Sequence, residues 1–264
     1  MTTHGTIRVG IGGWSFEPWR TTFYPPEVSK ARELEYASRH VTAIEINSTF
    51  YRMMSKDVFA KWREQTPEDF VFTVKAPRSI VQRKDLRESS GMDYFIDNSV
   101  VGLGAKLGPI LWQLPPSKRF SVDEIGAFCK LLPQEHAGHK VRHALEVRHK
   151  SFMCDEYLAL AREHGLATIY VDSPPYPSFS DVTGNFVYAR LRCAQADIPT
   201  GYSSQDIDAW ANRAHLWSSG GAPEDLTRIG AHHPSPEPRD VFIFFINGAK
   251  ERAPAAAQAL IGNL

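Results

Sequence analysis

Charged and amide side chains recur at one kind of position in this 264-residue chain, the trailing end of short apolar runs. Asn47 closes TAIEIN, Lys75 closes FVFTVK, Gln113 falls near the end of PILWQL and Arg148 closes RHALEVR. Asp172, Arg192 and Asn247 end ATIYVD, FVYARLR and VFIFFIN. Strand side chains alternate faces, so one step back on the same face adds Glu45, Glu146 and Arg190. Glu45 or Glu146 has the chemistry of a general acid or base. Lys75, desolvated among apolar neighbours, has two possible uses: a lowered pKa would make it a base or Schiff-base nucleophile, and a retained charge would hold an anion. Arg148, Arg190 and Arg192 add cations, which Glu45, Glu146 and Asp172 offset, so the anion-holding role is preferred.

Glu45, Lys75 and Glu146 are therefore the catalytic candidates. Trp14, Asn47, Tyr51, Gln113, Arg148, Asp172, Arg190, Arg192 and Asn247 are the substrate-binding candidates. For any one residue, emergence into solvent at a strand end is an adequate account. Glu45, Glu146 and Arg190 resist it because apolar neighbours flank them, and buried charge is costly unless paired. Such pairing serves a structural network as readily as a reaction. An oxygen-rich set of Glu45, Glu146, Asp172 and His149 would suit magnesium or manganese. The cations at the same positions weigh against it, so no metal ligand is assigned and no cofactor can be named.

The elements that must position these residues are eight runs with strand character: 6–12, 42–47, 70–75, 109–114, 142–148, 167–172, 186–192 and 241–247. Most are separated by stretches with helical periodicity, the signature of β-α units building a parallel sheet. In SVDEIGAFCKLL, Ser121 and Glu124 have capping-box spacing, and Ile125, Phe128, Leu131 and Leu132 share a face. Ser55 is placed to cap KDVFAKWREQ, and CDEYLALAREHG finishes at Gly165. SPPYPSFSDVTG has too many prolines for a helix. The expected fold is a (β/α)8 TIM-like barrel in one domain, 1–264, with the crossover between strands 6 and 7 lacking its helix. The polar residues would then converge at the C-terminal mouth, where sites of this fold lie.

Other features bound the function. Thirty basic and thirty acidic residues cancel, which disfavours nonspecific nucleic-acid or anionic-membrane binding. The longest purely apolar run, VFIFFI, is far short of a bilayer span and MTTHGTIRVG has no apolar signal core, so a soluble, cytoplasmic protein is expected. Cys129, Cys154 and Cys193 are odd in number and unpaired in spacing, suiting reduced thiols. His232 and His233 sit in the loop-like HHPSPEPRD without metal-ligand spacing. GIGGWS departs from G-x-G-x-x-G, so Gly12 and Gly13 are assigned to a tight turn. The following aromatics Trp14, Phe16, Trp19, Phe23 and Tyr24 read as a hydrophobic plug, or as a stacking surface for a sugar ring or base.

GGWSFEPWRTTFYPP, EINSTFYR, TPEDFVFTVK, LGPILWQLPP, LEVRHKSF, YARLR and NGAKERAPAAAQAL together resemble the successive motifs of the YecE-like proteins, a domain of unknown function. The resemblance follows the family's order over nearly the whole chain. It implies a TIM barrel and no particular reaction. Two departures stand out: Cys193-Ala194 where many members have His-Gly, and Asn247-Gly248 where many have Asn-Asn. The reading that follows is an enzyme acting on a small phosphorylated, carboxylated or sugar-like ligand at the barrel mouth. The alternative is a non-catalytic ligand- or nucleic-acid-binding protein whose polar ring holds anions or stabilises the barrel.

Overall fold

The alternation of the strand runs is realised as a parallel sheet buried on both faces. In the computed structural model, which describes residues 4–88, 90–231 and 234–264, the strands are β1 (Ile7–Gly12), β2 (Ala43–Ile46), β3 (Val71–Lys75), β4 (Leu107–Gln113), β5 (His143–Glu146), β6 (Ala167–Thr168), β7 (Tyr170–Asp172), β8 (Phe186–Leu191) and β9 (Asp240–Phe245). Each pairs in parallel with its neighbours, and β9 returns to β1 through Ile7–Val241 to Ile11–Phe245. The sixth expected strand is split. β6 pairs with β5 and β7 pairs with β8, with Ile169 between them donating its N–H to the Leu145 carbonyl. The two ends of the nine-segment sheet are thus consecutive pieces of one extended stretch, and the sheet curls into a TIM-like barrel.

The helices fill the gaps between strands: α1 (Trp19–Thr22), α2 (Glu33–Ala37), α3 (Lys56–Glu64), α4 (Arg78–Val81), α5 (Met92–Asn98), α6 (Val122–Leu131), α7 (Asp155–Glu163), α8 (Ser204–Ser218) and α9 (Ala253–Gly262). Among the described residues no helix joins β7 to β8, as the prolines of SPPYPSFSDVTG required. Outward residues such as Ile44, Ile46, Val74, Trp112 and Leu145 pack with the helices in one large cluster. Inside the barrel, Tyr188, Phe242 and Phe244 meet the small Ala43 and Ala144, so large rings fill the space that small residues leave. Gly10 belongs to this interior: a Cβ there would lie 2.0 Å from the Ala43 carbonyl oxygen.

Two capping expectations need correction. Ser121 does accept the Glu124 N–H, but the Glu124 carboxylate turns away to the Leu86 N–H and Lys118 Nζ, at 2.9 and 2.7 Å. A tertiary charge partner outcompetes the local backbone N–H. Ser55 precedes α3 without a side-chain cap. The reciprocal capping box is at α8, between Ser203 and Asp206. Gly165 adopts φ +61°, the left-handed backbone expected past the end of α7. A two-stranded hairpin, Glu135–His136 with His139–Lys140, was not anticipated from the sequence. His232 and His233 lie outside the described residues. No described helix is long and apolar enough to cross a membrane.

Candidate anion-binding site

Arg190 sits at the centre of the barrel's C-terminal end because β8 places it on the inner face, with Tyr188 one step below. Its Nε and Nη2 donate to Glu45 Oε2 and Oε1 at 3.0 and 2.9 Å, a bidentate pair. Its Nη1 donates to Glu146 Oε2 across the barrel. Glu45 Oε2 also accepts from the Tyr188 hydroxyl at 2.7 Å, and Oε1 from Asn47 Nδ2 at 2.9 Å. Glu146 Oε1 accepts from Gln113 Nε2 at 2.8 Å and Arg148 Nε at 2.6 Å. Below them the Tyr188 hydroxyl meets Thr73 Oγ1 at 2.8 Å.

Both carboxylates are fully buried, and each oxygen is engaged by protein donors. Burial pushes the Glu146 pKa up, but Arg190 and Arg148 outweigh it and hold the carboxyl at about 2. For Arg190, burial opposes the charge while Glu146 and Glu45 raise its pKa above the ordinary arginine value. Glu146 and Arg190 thus hold each other in their charged forms.

Above the network opens a cavity of about 310 Å³ lined by Gly12, Asn47, Tyr51, Lys75, Gln113, Arg148, Arg190, Arg192, Ile246, Asn247 and Lys250. Five of these are cationic side chains and none is a carboxylate. Glu45 and Glu146 lie beneath, shielded by Arg190. Lys75 is buried, with Nζ 4.0 Å from the Phe50 ring centroid and no hydrogen bond or ion pair among the described residues. Burial lowers its pKa, Arg190 adds to the effect, and Glu45 and Glu146 pull against it, leaving about 8. Arg192 Nε and Nη1 are buried without a hydrogen-bond partner among the described residues. Its Nη2 donates to the Asn247 side-chain oxygen at 3.1 Å in the amide orientation that satisfies both ends of that group. Tyr176 lies under the Arg148 and Arg192 guanidinium groups, 4.4 and 5.4 Å from its ring centroid.

A second hollow of about 290 Å³ adjoins the first, sharing Gly12, Asn47, Tyr51 and Lys250 and adding Gly13, Trp14, Ser15, Ile46 and Ser48. Trp14 is both packed and accessible from the mouth. Its ring packs edge-on against Trp62 at 4.9 Å, yet it lines the hollow. Trp19 and Tyr24 are plug residues, buried in the core. Gly13 at φ +75° makes the turn at the strand exit.

Asp172 requires correction. Ile169 and Val171 face the barrel interior, so Asp172 shares the outer face with Tyr170, whose ring packs at a tilt against Trp210 and Trp217 of α8. It lies among α8 charges, feeling Arg213 and Asp206, and burial raises its pKa. The oxygen-rich metal set therefore does not assemble. Glu45 and Glu146 are bound to Arg190, Asp172 faces α8, and His149 Nδ1 caps its own turn by accepting the Ser151 N–H. No cluster of three or more metal-ligating side chains occurs among the described residues.

Sequence reasoning missed Lys250, Tyr176, Tyr188 and Thr73. Tyr188 and Thr73 lie one further inward step below Arg190 and Lys75, and extending the alternation would have found them. Lys250 follows the strand end by a short turn inside NGAKERAP. Tyr176 lies in the proline-rich loop, where no periodicity marks any residue.

A family model described as "Protein of unknown function DUF72" matches residues 8–264. The chain is 29% identical over 177 residues to the UPF0759 protein YecE of Escherichia coli K12, covering 64% of this chain and 60% of that protein. It is 28% identical over 182 residues to the UPF0759 protein YunF of Bacillus subtilis, covering 64% of this chain and 61% of that protein. The match thus spans about three fifths of the length of these relatives. A crystal structure of a DUF72 family protein from Thermotoga maritima superposes with TM-score 0.72 at 24% identity, over 97% of each chain. A second, from Enterococcus faecalis, gives TM-score 0.71 at 19% identity, over 98% of this chain and 95% of that one. The chain belongs to the DUF72 family, whose TIM-like barrel it shares.

Proposed function

We propose that this DUF72 member is an enzyme that binds a small phosphorylated or carboxylated substrate at the C-terminal mouth of its barrel, with Lys75 handling the proton. The observation that carries this reading is the lining of the cavity: Lys75, Arg148, Arg190, Arg192 and Lys250 face it and no carboxylate does. An unliganded pocket with that lining attracts anions, and its low-dielectric walls strengthen each contact. Glu45 and Glu146 are positioning residues in this reading. They aim Arg190 and Arg148 and neutralise part of their charge, and they are not the acid or base. Lys75 is the group near the substrate whose charge can change close to neutral pH, which suits proton transfer.

A thermal-shift screen of inorganic phosphate, sugar phosphates and di- and tricarboxylates tests the reading, because a ligand stabilises the fold by RT ln(1 + [L]/Kd), about 2.7 kcal/mol at a hundredfold excess over Kd. Arg192→Met is the informative variant, since Arg192 lines the cavity and, among the described residues, only its Nη2 serves a protein partner, Asn247. The expected result is a shift with anions that disappears in Arg192→Met while the unliganded melting temperature holds. Equal shifts in both proteins, or none with any anion in the wild-type chain, defeats it.

A further inference from the structure

We infer that the ligand is a phosphate monoester carrying an uncharged ring, with the phosphate over Arg192 and Lys75 and the ring in the adjoining hollow against Trp14 and Tyr51. The inference rests on the anion-binding reading and adds the identity of the other half of the ligand. Three observations support it.

The first is charge. Five cationic side chains face or floor the cavity, and the two carboxylates beneath offset two of them. The excess is three positive charges. A monocarboxylate brings one negative charge, whereas a phosphate ester brings about 1.5 to 2 and three acceptor oxygens. Lys75 Nζ, which makes no hydrogen bond among the described residues, is a donor left over for those acceptors, and Arg192 lies beside it in the cavity lining.

The second is continuity. The two hollows share Gly12, Asn47, Tyr51 and Lys250, so a ligand anchored in one reaches the other without crossing protein. Gly12 keeps the passage clear: a Cβ there would lie 3.1 Å from both Asn47 Nδ2 and Ile246 Cδ1.

The third is the change in character between the hollows. The Arg and Gln side chains of the first give way to Trp14, Ile46, Ser15 and Ser48 in the second. Lys250, at the boundary, is itself seated over Phe16 at 4.6 Å. Tyr51 is 72% exposed, a large aromatic surface left open at the rim. Aromatic faces with a few hydroxyl and amide groups recognise a sugar or a base by stacking and sparse hydrogen bonds.

The test is a titration series by calorimetry on the full chain with inorganic phosphate, ribose 5-phosphate and a nucleoside 5′-monophosphate. Stacking one ring on an aromatic surface is expected to tighten binding by about tenfold over inorganic phosphate. A gain that is complete with ribose 5-phosphate assigns the hollow to a sugar. A further gain with the nucleotide assigns it to a base, and either result supports the inference. Ser48→Trp, which changes the lining of the second hollow and not that of the first, should erase the gain of the ring-bearing ligands over inorganic phosphate measured in the same variant. Equal affinity for all three ligands overturns the inference while leaving the anion-binding reading standing. No binding of any of them overturns that reading itself.

Discussion

Arg190 unites the site and is the residue on which stability should depend most. Its guanidinium bridges Glu45 and Glu146, and Arg148 supplies the second positive charge on Glu146, in a region with almost no solvent exposure. Removing one member of a buried ionic network leaves uncompensated charge at a cost of roughly 3–5 kcal/mol. Arg190→Met should therefore lower the unfolding free energy from urea denaturation at neutral pH by roughly 3–5 kcal/mol, and a loss below about 1 kcal/mol would mean that the carboxylates find other partners. Glu146 makes the network pH-sensitive. Its folded pKa of about 2 lies below the ordinary 4.5, so its stabilisation is present above pH 4.5 and is lost as pH falls toward 2. In Glu146→Gln the acid limb of the stability-versus-pH curve should flatten over that window. Lys75 also makes stability rise with pH, but because its charged form is the destabilised one. Its folded pKa of about 8 lies below the ordinary 10.5, so its burial costs stability below pH 8 and that cost is relieved between 8 and 10.5. For binding the consequence is direct: a phosphate ester is already dianionic above neutral pH, so affinity should fall as Lys75 loses its proton. A bound anion favours the charged amine, placing the midpoint at or above 8. Lys75→Met should bind more weakly and lack the alkaline step, which calorimetry across pH reads directly.

At the level of elements, the end of each strand decides what reaches the mouth. Residues on the inner face of β2, β3, β4, β5 and β8 arrive there, and Asp172 does not because it is one position out of phase. A single-residue error in face assignment moves a side chain from cavity to outer layer. The sixth strand was the place for that error, since its break at Ile169 obscures which residues form its inner face. The two departures from the resembled motifs also meet at this level. Ala194 and Gly248 form a parallel bridge beyond the ends of β8 and β9. Gly248 has φ +81°, and a Cβ there would lie 2.5 Å from the Ala194 N and O atoms. Gly248→Ala should cost roughly 1–3 kcal/mol from the left-handed backbone alone, with the clash against Ala194 added. It should also disturb Asn247 and thus Arg192. A variant as stable as the wild type would show that this junction relaxes freely.

Over the whole molecule, zero net charge conceals an uneven distribution, because the mouth keeps an excess of cations that the rest of the chain balances. Phosphate binding there should weaken with added salt, but less steeply than binding to an exposed basic surface, since buried pairs are screened less. The sequence by itself determined the strand runs, the missing helix after β7 and most of the ring of polar strand ends. These follow from backbone alternation, proline chemistry and the cost of burying charge, all of which act locally along the chain. Only the tertiary structure decided that Glu45 and Arg190, 145 residues apart, form a bidentate pair, and that Glu146, 44 residues from Arg190, joins them. Closure of the barrel sets those distances. It paired the catalytic candidates Glu45 and Glu146 with arginines, brought Lys250 to the cavity and Tyr176 beneath Arg148 and Arg192, and left Lys75 facing the cavity without an ion pair among the described residues.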